Sequence, residues 1–229
     1  MRDEACGKPT SQYLIFISGI FVTCLITANL IAVKLIHVAG MVLPAAVIIF
    51  PLSYIVGDVL TEVYGYAQAR RVIWLGFFCN LIFVGAVWVG GFMPAAPFWD
   101  AQAAYDRILG TAPRILGASF AAYLVGEFAN AYVLAKMKLA TQGRWLWSRT
   151  IGSTLVGQAL DSLVFMSLAF AGSIPEADLG RAIVAQWLTK SLYEAAATPF
   201  TYLVVNFLKA KEGLDAMDRE TRFSPFRLA

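Results

Sequence analysis

The sequence predicts an all-α, polytopic membrane protein: six transmembrane helices with both termini on the cytoplasmic side. Three observations carry this. Of 229 residues, 59% are hydrophobic and 14% charged, well below the roughly 25% charge of soluble domains. The apolar residues come in unbroken runs; residues 9–33, 38–57 and 72–99 contain no charge, and each reaches the roughly 20 residues that cross a bilayer. The cations cluster after alternate runs, which sets the orientation by the positive-inside rule.

The elements follow in order. The leading stretch MRDEACGKPT carries both charge signs, and the run behind it is too long for a signal-peptide core, so no cleavage is expected. Six helices are expected at about 12–33, 41–63, 72–93, 114–136, 150–172 and 181–208, forming one membrane domain over 1–229. Arg70 and Arg71 follow the second, Lys136, Lys138 and Arg144 the fourth, and Lys209 and Lys211 the sixth. With Arg2 and Lys8 these mark one side. Lys34, Arg107 and Arg181 are the sparser cations of the other. Residues 101–110 read as a short interfacial helix. Pro51 and Pro199 are expected to interrupt the second and sixth helices and free a carbonyl one turn earlier. Cys6, Cys24 and Cys79 have no spacing for a disulfide framework or a zinc site. No metal and no cofactor is expected.

Ionisable residues inside the spans carry the functional signal, since each costs about 2.5–3.5 kcal/mol near a helix centre. They fall into stripes. Tyr54, Asp58 and Glu62 repeat at i, i+4, i+8; Tyr123, Glu127 and Asn130 at i, i+4, i+7; so do Thr154, Gln158 and Asp161; and Lys190, Glu194 and Thr201 share a face of the sixth helix. These offsets line one side of a helix. Four helices would thus turn polar stripes towards an internal cavity suited to a flat, hydrogen-bonding ligand. Lys190 and Glu194 could also neutralise each other, Arg149 could cap the fifth helix, and Asn29 and Asn80 read as interhelical glue.

The stretches FPLSYIVGDVLTEVYGYAQARR, SRTIGSTLVGQALDSLVF and KSLYEAAATPFTYLVVNFLKAKEGLD resemble the queuosine precursor transporters, also grouped as a vitamin uptake transporter family. The resemblance covers nearly the whole chain. It implies a multi-pass protein of the bacterial inner membrane that imports 7-cyano-7-deazaguanine or its 7-aminomethyl relative, as a secondary carrier and not an enzyme. The partners expected are that 7-deazapurine and the bilayer, with a homodimer open and no nucleic acid contact. For such a base, Glu127 and Asp161 would accept from its N–H edge. Gln158, Asn130, Lys190 and Arg149 would donate, and Glu194 would complete the binding set. Tyr123, Tyr54, Trp187 and Tyr193 could stack on its face. Asp58, Glu62 and Tyr54 would form the exit or gate, with Glu62 partly wet.

Two rival readings remain in view. A substrate-binding subunit of an energy-coupling-factor transporter has similar size, and the Ala28/Ala32 pair could dock a partner. The chain carries no G-x-x-x-x-G-K-[ST] loop of its own. An intramembrane aspartyl protease would use Asp58 and Asp161, yet Ile55 stands where its motif needs a glycine.

Overall fold

The computed structural model describes residues 11–31, 34–38, 41–110, 113–172, 175–219, 221 and 223–226. Among them lie seven α-helices: α1 (Gln12–Ile31), α2 (Phe50–Tyr64), α3 (Tyr66–Phe92), α4 (Gln102–Leu109), α5 (Pro113–Ala140), α6 (Leu146–Phe170) and α7 (Glu176–Glu212). Four regions are long and apolar enough to cross a membrane: α1, α3, residues 116–140 of α5, and α6. The expected interfacial helix is α4, whose Tyr105 hydroxyl donates to the Val87 carbonyl at 2.7 Å.

The expected second helix, at about 41–63, needs correcting between α1 and α2. Strands β1 (Leu35–Val38) and β2 (Met41–Pro44) pair antiparallel, and a 3-10 turn (Ala45–Ile48) follows. Residues 41–49 therefore do not extend the second helix. Pro44 explains this, because its ring removes a helical donor and pushes the preceding residue to extended backbone. Pro51 is also not the mid-span break expected of it. It lies in the first turn of α2, where a missing N–H leaves nothing unsatisfied. Pro199 does lie inside α7, and the Ala195 carbonyl consequently lacks its helical donor.

Shortened to 15 residues, α2 is about 22 Å long at 1.5 Å per residue, less than the roughly 30 Å hydrocarbon core. It lies inside the bundle instead of against lipid, and every residue from 55 to 66 is buried. Ile17, Phe21, Val59, Leu60, Val63, Tyr66 and Val205 form the apolar core around it. Gly65, at φ +83°, joins α2 to α3 with no intervening residue, a conformation glycine adopts without steric penalty. The outer faces stay apolar: Phe78, Leu81, Ile82 and Phe92 on α3, and Leu192, Phe200, Leu203 and Phe207 on α7, are exposed, as a lipid-facing surface requires.

The closest helix packing joins α5 and α6. A Cβ added at Gly126 would stand 2.8 Å from the Asp161 Cβ, and one at Gly157 would stand 2.9 Å from the Asn130 Cβ. Hydrogen lets these backbones approach, as small residues do in membrane bundles. Ser153, one turn before Gly157, is buried here too; Ala32 of the Ala28/Ala32 pair lies outside the described residues.

After α7, the described residues of 213–219 and 223–226 run back across the bundle end. The Ala216 amide donates to the Val63 carbonyl at 3.1 Å. Asp218 Oδ2 accepts the Tyr66 amide at 2.9 Å, supplying an acceptor at the start of α3 that no residue of the tight Gly65 turn provides. Arg70 and Trp74 donate to the Ser224 and Pro225 carbonyls, and Phe223 packs on Tyr66 and Tyr132.

Candidate functional site

The polar stripes converge. A cavity of about 690 Å³ opens among α1, α2, α3, α5, α6 and α7, within the 300–1,000 Å³ of small-molecule sites. Of the residues expected to bind a ligand, Glu127, Asp161, Gln158, Asn130, Lys190 and Tyr123 line it, together with Tyr54. Each arrives by helical spacing: Tyr123, Glu127 and Asn130 from α5, Gln158 and Asp161 from α6, Lys190 from α7. Asn29 and Asn80 also reach the wall and bond to each other at 3.0 Å, which matches their reading as glue.

Lys190 Nζ lies 2.5 Å from Asp161 Oδ2, both side chains about one-sixth exposed. The ion pair thus crosses from α7 to α6, so the expectation that Lys190 and Glu194 neutralise each other along one helix is corrected. Glu194 instead accepts from the Thr154 hydroxyl at 2.5 Å, behind the cavity wall. Glu127 is 8% exposed and has no hydrogen bond or ion pair to any described residue. The buried acceptors Gln158 Oε1 and Asn130 Oδ1 have no donor among the described residues either. One amine, one bare carboxylate and several amides around two tyrosines can read a flat base with donors on one edge and acceptors on another.

Four candidates lie elsewhere. Asp58, Glu62, Arg149 and Glu194 do not line the cavity. Trp187 and Tyr193 do not line it either; the Trp187 indole donates to the Leu155 carbonyl. The aromatic that sequence reasoning missed is Phe165, and Ser53, Ser119, Gln186 and Thr189 also contribute. Gln186 and Thr189 carried a usable signal, at i−4 and i−1 of Lys190 on the same helix.

Glu62 and Arg149 belong to a second cluster at one end of the bundle. Glu62 is fully buried, which corrects the expectation of a partly wet carboxylate. Its Oε1 receives Arg149 Nη2 at 3.0 Å and Lys209 Nζ at 2.7 Å, with Lys138 Nζ at 3.6 Å. Lys138 also donates to the Glu62 carbonyl at 2.5 Å and to Asp215 Oδ1 at 2.5 Å, and Lys209 lies 2.9 Å from the same oxygen. Burial works against charge on Asp215, yet hydrogen bonds from Lys138 and Lys209 hold its carboxyl below the usual aspartate value. The ends of α2, α5 and α7 and the start of α6 therefore meet on one face. The start of α1 joins them, since the Ser11 hydroxyl donates to Glu212.

Neither aspartate of the protease reading fits it. Asp161 is engaged by Lys190, and Asp58 lies outside the cavity, bonded by Asn130 Nδ2 at 2.9 Å. Among the described residues no group of three or more His, Cys, Asp or Glu could hold a metal.

A family described as "Putative vitamin uptake transporter" matches residues 44–204. The "Probable queuosine precursor transporter" of Bacillus subtilis (strain 168) is 30% identical over 180 residues, 77% of this chain and 78% of that protein. The "Queuosine precursor transporter" of Escherichia coli (strain K12) is 27% identical over 121 residues, 53% of this chain and 52% of that protein. A Haemophilus influenzae relative of similar name is 27% identical over the same length. No solved structure matches the chain. With most of its length matched, its spans apolar and its relatives named as transporters, the chain belongs to the vitamin uptake transporter family, that of the queuosine precursor transporters.

Proposed function

We propose that this protein imports a queuosine precursor, 7-cyano-7-deazaguanine or 7-aminomethyl-7-deazaguanine, across the bacterial inner membrane as a secondary carrier. The observation that carries the reading is the cavity: Glu127, Gln158 and Asn130 line a space of about 690 Å³, and among the described residues Glu127 has no ion pair and Gln158 Oε1 and Asn130 Oδ1 accept no hydrogen bond. In this reading the whole chain is one transporter domain. Glu127, with the free acceptors of Asn130 and Gln158, takes the N–H edge of the base, and Lys190 and the remaining amide N–H groups answer its O6 and ring nitrogens. Asp161 fixes Lys190, and Tyr54 and Tyr123 flank the ring. Arg149 holds the bundle end through Glu62, and Glu194 lies behind Thr154. The energy-coupling-factor alternative draws no support here, because Ala28 is buried on the cavity side and not on an outer docking face.

Thermal stabilisation of the purified protein tests the substrate. Each deazaguanine should raise apparent stability by about 2.7 kcal/mol at a hundredfold excess over Kd, while guanine, adenine and biotin do not. No stabilisation by either deazaguanine would sink the reading.

In this proposal five helices cross the membrane alone and α2 completes a sixth crossing together with the segment before it, with the Glu62 end cytoplasmic. In a variant without native cysteines, Gln142→Cys and Lys211→Cys should resist an impermeant thiol reagent in intact cells, and Glu176→Cys should react. The reverse pattern would invert the orientation.

A further inference from the structure

Two carboxylates lie just behind the cavity wall without a cation. Asp58 is 1% exposed and Glu194 3%, and neither lines the cavity. Each is held by a residue that does: Asn130 Nδ2 donates to Asp58 Oδ1 at 2.9 Å, and Thr154 Oγ1 donates to Glu194 Oε1 at 2.5 Å. The other oxygen of each, Asp58 Oδ2 and Glu194 Oε2, is buried and accepts no hydrogen bond from a described residue.

The charged groups acting on the pair are all acidic. Asp58 feels Glu62 from its own helix, and Glu194 feels Asp58 across from α2 and Glu127 from α5. From α6 the neighbour is the neutral Thr154, and from α1 Phe21 lies beside Gly57. The cations in reach are engaged: Lys190 with Asp161, and Lys138, Arg149 and Lys209 with Glu62. Two like charges at this depth repel strongly, and a proton shared between such groups belongs to the pair, not to either residue.

We propose that Asp58 and Glu194 form a proton-binding pair that couples base occupancy of the cavity to proton movement, with Asn130 and Thr154 as the relay. A base that draws on Asn130 or Thr154 takes a donor away from one carboxylate and changes the pair's hold on its proton. One O–H bond forms when the proton enters from outside, and the same bond breaks when it leaves with the base to the inside. A proton gradient is then the driving force. The inference rests on the base-transport reading only for the identity of the cargo.

Full-length protein in vesicles of phosphatidylethanolamine and phosphatidylglycerol, loaded with a pH-sensitive dye, tests this. External 7-cyano-7-deazaguanine, with no imposed pH gradient, should acidify the lumen as labelled base enters. Asp58→Asn and Glu194→Gln should abolish the acidification and flatten the pH dependence of uptake while base-for-base exchange continues. Base entry without proton movement in the wild type would overturn the coupling and leave the base reading standing. If no base enters, the base reading falls, and infrared spectroscopy decides the pair. A protonated-carboxyl band that changes with pH and vanishes in both variants supports it; a band unchanged in both overturns it.

Discussion

Glu62→Gln should cost about 3–5 kcal/mol of stability, as breaking a buried ion pair does. The reason is the number of cations that depend on one carboxylate. Lys138 and Arg149 are each 1% exposed; with Glu62 neutral, Lys138 keeps Asp215, whose side chain is 49% exposed, and Arg149 keeps no acidic partner among the described residues. A loss of this size is a large share of the 5–15 kcal/mol that holds an ordinary domain together. Thermal melting in detergent reads it. Arg149→Met should cost less, since Lys138 and Lys209 still answer Glu62, and combining the two changes should not restore wild-type stability. Glu62→Gln melting like the wild type would mean that the cluster contributes nothing. Asp215 adds a pH dependence of known sign. Its folded pKa lies below the unfolded value, so its contribution is present above about pH 4, the ordinary aspartate value. It is lost as pH falls through the folded value. Asp215→Asn should remove that part of the acid sensitivity.

Glu127→Gln should lower affinity for the deazaguanine ten- to hundredfold. A hydrogen bond to a charged group contributes about 1.5–3 kcal/mol, and each 1.4 kcal/mol is a factor of ten. The amide keeps the volume but turns one acceptor into a donor that meets the ligand's own N–H. Because Glu127 has no protein partner among the described residues, folding should be spared and the loss should appear in binding. Asp161→Asn is a less clean probe, since it also leaves Lys190 unpaired. Leu at Asn29 or Asn80 should do the opposite of Glu127→Gln, lowering yield more than affinity by breaking their mutual bond. Binding by Glu127→Gln within about twofold of wild type, far less than one such bond is worth, would remove Glu127 from the site.

The cavity was legible in the sequence because helical periodicity is local: the spacing of Tyr123, Glu127 and Asn130 puts them on one face whatever surrounds them. Which face meets which neighbour is a tertiary matter. Hence Lys190 found Asp161 across a helix interface, 29 residues away, and not Glu194 four residues along. The Glu62 cluster was illegible for the same reason, its partners standing 76, 87 and 147 residues further on. Lys138 and Lys209 were readable as orientation signals and gave no hint of burial. The hairpin before α2 was hidden by hydropathy, which does not distinguish an apolar strand from an apolar helix; Pro44 was the available clue.

Those same separations set a clock for synthesis. At 5–20 residues per second, Lys209 leaves the ribosome roughly 7–30 s after Glu62, given 147 intervening positions. Through that interval α2 carries a carboxylate whose full set of cations has not yet been made, on a helix too short to span by itself. The translocon and the early helices α1 and α3 must therefore hold α2 in a waiting state. Its final seat forms only when α5, α6 and α7 deliver the three cations. Assembly of this transporter ends by capturing an early helix, so a slowdown of translation between α3 and α7 would lengthen the period in which the nascent chain is open to membrane quality-control proteases.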